Sequence, residues 1–136
     1  MKTKSVLLLV GGIVQTLFVG LHIAMAVGIQ GRPAPAGLAP DVWANLKASM
    51  HVFNGTVLAA VLCFAYISIF KRAELLSTSL GRTLCAFISL LYLQRVGVAS
   101  LLRGFDVGFG LLLLGLAAVY AFAALPERKL STASSA

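Results

Sequence analysis

Acidic side chains are nearly absent from this sequence. Asp41, Glu74, Asp106 and Glu127 are the whole supply in 136 residues. None lies inside an apolar run, so no carboxylate is placed to orient a histidine in a Ser–His–Asp set. Cysteine is almost as scarce. Cys63 and Cys85 stand alone in apolar runs, with no CxxC pair and no Cys/His cluster at zinc spacing. That excludes a dithiol redox enzyme and a structural zinc site, and reads both as buried small apolar residues. Charge of either sign is thin, at 11% of residues. A soluble domain of this length needs far more polar surface to cover its core.

What fills the chain instead is hydrocarbon. Hydrophobic residues make up 60% and the mean hydropathy is +0.98. The net charge of +7 would point to nucleic acid in a soluble protein. Here the basic residues gather at the ends of apolar runs, with no basic patch interleaved with aromatics, so nucleic acid is excluded as a partner and the lipid bilayer takes its place.

Four runs stand out, at about residues 5–29, 43–70, 80–102 and 107–125. Each has roughly the 20 residues needed to cross about 30 Å of hydrocarbon as a helix. In lipid every backbone N–H and C=O must be paired within its own segment, and the runs do not alternate as barrel strands do. The fold expected is all-α: a single domain over residues 1–136, an integral membrane four-helix bundle. The segments between the runs agree. "QGRPAPAGLAP", Gln30 to Pro40, cannot continue a helix, and Asp41 then reads as an N-cap. "KRAELLSTSLGR", Lys71 to Arg82, reads as a polar linker. "RGFD", Arg103 to Asp106, reads as a tight turn, with Asp106 capping the fourth helix. Residues 126–136 read as a polar tail.

Lysine and arginine set the direction. With four spans, Lys2, Lys4, Lys71, Arg72, Arg82, Arg128 and Lys129 share one side, while Arg32, Lys47 and Arg103 face the other. This bias predicts both termini in the cytoplasm, N-in and C-in, in a cell membrane of the bacterial inner-membrane type. Trp43 and Lys47 fall where outer interfacial anchors belong. A competing reading takes "MKTK", the apolar core and "AMA" (Ala24 to Ala26) as a cleavable leader. Against it, the apolar stretch runs on to Ile29, and Gln15 and Thr16 interrupt the core.

Polar residues inside the runs mark where a site would be. In this topology His22, His51 and Arg95 each lie roughly 10 Å below the outer surface, on three different helices. Asn54 is one turn from His51, Gln94 adjoins Arg95, and Tyr92 is one turn inward of Arg95. Charged and amide side chains in a bilayer turn inward and pair, so these six are expected to converge in the bundle interior. They are the candidate ligand-binding residues.

Three function classes follow. In the first, an accessory or structural membrane protein, the polar residues only tie helices together. In the second they line a quinone or lipid pocket with apolar walls. In the third His22 and His51 are axial ligands of a b-type haem, with Arg95 at a propionate. The first is the leading reading. Gly12, Thr16, Gly20, Ala24 and Gly28 recur every four residues, a small-residue seam that would pack inside the bundle or serve a homodimer or another membrane partner. In length and span number the chain resembles the small multidrug-resistance transporters. Those depend on a glutamate in the first helix, where this chain has Gln15 and His22.

Overall fold

The computed structural model describes residues 2–126. Residues 127–136, with Glu127, Arg128 and Lys129, lie outside the described residues, so the tail charges expected there have no structural account. The chain is all-α: α1 (Lys2–Gln30), α2 (Pro40–Phe70), α3 (Arg72–Ser77), α4 (Ser79–Arg103) and α5 (Val107–Ala124), with no strand among the described residues. Four of these helices, α1, α2, α4 and α5, are long and apolar enough to cross a membrane.

Three sequence expectations need correction: Cys63, read as buried, is exposed while Cys85 is buried, and two helix boundaries differ. Asp41 is not the N-cap of α2. The helix starts one residue earlier, at Pro40, and Asp41 sits inside its first turn. Proline suits that place because its φ is preset and its missing N–H is not needed there. The Trp43 N–H already reaches the Ala39 carbonyl at 3.0 Å. The linker after α2 is not all loop either, since it holds α3. Leu75 is buried there at 4% exposure, and Lys71 pairs with Glu74 at 2.8 Å.

The other boundaries follow local chemistry. The Thr78 hydroxyl accepts from the Gly81 N–H at 2.9 Å and starts α4. Gly81 is required at that corner, because a Cβ would meet the Leu75 Cα at 2.5 Å. Gly104, at φ 79°, stops α4, and its N–H returns to the Ser100 carbonyl. Asp106 caps α5 as expected, accepting from the Phe109 N–H at 2.8 Å.

The chain divides into two compact units. Among the described residues, one comprises residues 10–70 and the other residues 2–9 together with 71–126. In the first unit α1 and α2 run antiparallel. Gly12 meets Ser68 and Ile69, His22 meets Asn54, and Gln30 meets Lys47 and His51. In the second unit the three-residue connection Gly104–Asp106 makes α4 and α5 an antiparallel pair. Their core holds Cys85, Ile88, Leu113, Leu116 and Tyr120. Lys4, at the start of α1, belongs to this unit and donates to the Leu125 carbonyl at 2.5 Å.

The buried face of α1 is not the small-residue seam. Lys4, Leu8, Gly11, Gln15, Phe18 and His22 are buried, at alternating steps of four and three. Of the four-step series, Gly12 packs on α2, while Thr16, Gly20, Ala24 and Gly28 are exposed. The reason is rotational. Four residues turn an α-helix by about 400°, so a strict four-step series drifts around the axis, while alternating steps hold nearly one face.

Candidate functional site

The six candidate residues divide between the two units. His22, His51 and Asn54 are in the α1–α2 unit; Tyr92, Gln94 and Arg95 are in the α4–α5 unit.

His22 and Asn54 are brought together. Both are buried, at 5% and 9% exposure. Asn54 Nδ2 donates to the backbone carbonyl of His22 at 2.9 Å. The His22 ring turns the other way, and its Nδ1–H donates to the Phe18 carbonyl at 2.8 Å. A carbonyl can only accept, so a proton is on Nδ1, and Nε2 is the nitrogen not engaged by this bond.

His51 lies nearer the helix ends and is half-buried. Its Nε2–H donates to Gln30 Oε1 at 3.0 Å. Lys47, one turn earlier, donates to the Gln30 backbone carbonyl at 3.3 Å and lies 5.7 Å from the Trp43 ring centroid. Trp43 in turn donates to the Arg32 carbonyl at 3.4 Å. Together these contacts fasten the C-terminal end of α1 to the first turns of α2. A cation at the last carbonyls of a helix is favourable to its dipole.

Tyr92 is buried at 6% and stacks on Tyr120, with ring centroids 6.4 Å apart. One turn earlier, Ser89 donates to the Ala117 carbonyl at 2.8 Å. Gln94 and Arg95 are exposed. The buried face of α4 runs through Cys85, Ile88, Ser89 and Tyr92. At about 100° per residue, Gln94 falls opposite that face and Arg95 at its flank. A shallow groove of about 290 Å³ lies along α4 and α5, lined by Ala86, Ser89, Leu90, Leu93, Ala121 and Ala124. None of the six candidates lines it.

The two histidines are engaged through different ring nitrogens, His22 through Nδ1 and His51 through Nε2. An axial histidine ligates through one ring nitrogen and donates from the other to an acceptor. His22 has that disposition through Nδ1. His51 has it through Nε2, which donates to Gln30 Oε1, so the two rings leave different nitrogens unengaged. Among the described residues no group of three or more His, Cys, Asp or Glu could hold a metal ion.

Sequence reasoning missed three residues. Gln30 is the hub for Lys47 and His51, but at the end of a run it reads as a boundary. Tyr120 has no polar neighbour in sequence to flag it. Lys4 reads as a topology charge, yet it is buried at 9%, with its ammonium 5.1 Å from the Phe122 ring centroid. Its long stem carries the charge to the end of α5.

What these arrangements share is closure. Thr16, Thr56 and Ser100 each return a hydroxyl to the carbonyl four residues back. Among the described residues no buried side-chain nitrogen or oxygen lacks a hydrogen-bond partner. The chain matches no protein-family model, no curated protein and no solved structure.

Proposed function

We propose that this chain is an accessory or structural multi-pass protein of a cell membrane, of the bacterial inner-membrane type. Both termini lie in the cytoplasm, and the polar residues within the spans tie helix to helix and turn over no substrate. The observation that carries this reading is the bond from Asn54 to the His22 carbonyl. An Asn amide carries two N–H donors and one acceptor oxygen, and here at least one donor is spent on the fold. This donor goes to the backbone of the neighbouring helix, and the His22 ring goes to its own. Interhelical bonds of this type are worth roughly 1–2 kcal/mol in model membrane helices.

Asn54→Ala tests the reading. Reversible unfolding of the purified protein in mixed micelles should show a loss of about 1–2 kcal/mol, whereas His22→Ala keeps the backbone carbonyl that Asn54 uses. Protein extracted from membranes should carry no quinone or haem in fixed ratio. A bound quinone or a reduced-haem spectrum that disappears in His22→Ala, while stability stays unchanged, would sink this proposal in favour of a ligand pocket.

A further inference from the structure

α4 carries a cation in a face suited to lipid. Opposite its buried side runs a second stripe at alternating steps of four and three: Phe87, Leu91, Gln94, Val98 and Leu101. Its four apolar members are 59%, 47%, 48% and 87% exposed, and Gln94 is exposed with them. An apolar stripe alone asks only for acyl chains. Gln94 in the middle of it and Arg95 on its flank do not. Neither has a hydrogen-bond or ion-pair partner among the described residues.

A lone arginine in hydrocarbon has two ways out. It can reach the headgroup phosphates, or it can meet a carboxylate. The nearer end of the span is at Leu102, about 10 Å along the axis. Side chains on an α-helix lean toward its N-terminus, which here means away from that end. Reaching the phosphates therefore runs against the lean of the helix. The carboxylate cannot come from this chain, since Asp41, Glu74 and Asp106 all sit at helix starts and Glu127 follows the last span. A second copy of the chain brings the same shortage, and a second arginine with it.

We infer that this stripe of α4 docks a transmembrane helix of another membrane protein, one that presents an Asp or Glu to Arg95. Alternating steps of four and three are what knobs-into-holes packing needs, and one polar residue in such a seam sets the register. Gln94 fills that place, and its amide can both donate and accept. The ion pair then selects the partner, because a helix without the acid leaves Arg95 unpaired. This inference deepens the accessory reading and rests on it, since α4 must span the bilayer.

The experiment uses the full-length chain, fluorescently labelled at its C-terminus, in phosphatidylcholine vesicles. The probe is a synthetic leucine–alanine transmembrane peptide with one Glu about 10 Å from one end, beside a version with Leu at that position. Energy transfer reports association. The Glu peptide should bind about tenfold more tightly than the Leu peptide. That preference should vanish in Arg95→Leu and in Arg95→Gln, shrink in Gln94→Leu and persist in Lys47→Leu, with helix content unchanged by circular dichroism. Equal binding of the two peptides, or a Glu preference that survives Arg95→Leu, overturns the inference. So does energy transfer between labelled copies of the chain that is lost in Gln94→Leu, which would assign the face to a second copy. Failure here leaves the Asn54→Ala measurement standing as a separate test of the accessory role.

Discussion

One absent Cβ decides how closely α1 and α2 approach where Gly12 meets α2. A methyl on Gly12 would sit 2.7 Å from Ile69 Cγ1, 3.2 Å from Ser68 Cβ and 3.3 Å from the Ala65 carbonyl oxygen. The isoleucine can shift, but the carbonyl belongs to a helix and moves only with its backbone. Gly12→Ala should therefore destabilise the protein by about 1–3 kcal/mol, the range for overpacking a tight contact. Gly20 has nothing within 4 Å of its Cβ position, so Gly20→Ala should stay within about 0.5 kcal/mol of the parent. Unfolding both variants side by side in mixed micelles checks this. Equal effects would mean that Gly12 is no closer to α2 than Gly20 is. The same measurement separates the residues of the small-residue series, which look alike in the sequence.

At the scale of the element, the helix ends are local matters and were largely legible. Asp106 follows a glycine turn and precedes an apolar run, and it does cap α5. Asp106→Ala should cost about 1 kcal/mol and speed hydrogen exchange at the Phe109 amide, while Asp106→Asn, which keeps a side-chain acceptor, should lose less. Unchanged protection at Phe109 in Asp106→Ala would show that the bond at 2.8 Å does not hold the first turn. Where sequence reading failed at this scale, the cause was also local. Pro40 suits the first helical position better than the loop, and Leu75 gives a polar-looking linker a buried side chain. The C-terminal end of α5 was not legible. It is met by Lys4, a residue 121 positions away in sequence, and no local pattern encodes a partner at that separation.

For the whole molecule the main expectation is direction. The lysine and arginine bias predicts cytoplasmic termini and an outward connection between α1 and α2. A fluorescent reporter fused after residue 136 should light up. A single cysteine introduced as Ala36→Cys, at an exposed position of the connection, in a background with Cys63 and Cys85 replaced by alanine, should react with a membrane-impermeant thiol reagent applied from outside. Labelling only after the membrane is broken would reverse the topology, along with the depth argument that grouped His22, His51 and Arg95. The number and length of the spanning helices were determined by the sequence itself. In hydrocarbon each backbone must pair within its own segment, and a rise of about 1.5 Å per residue turns run length into span length. The tertiary structure alone decided which way each helix faces. Leucine, valine and alanine surround these helices on all sides, so burial and lipid exposure look the same in composition. The partner of Asn54 is a backbone carbonyl, a group that every residue carries and no sequence can mark.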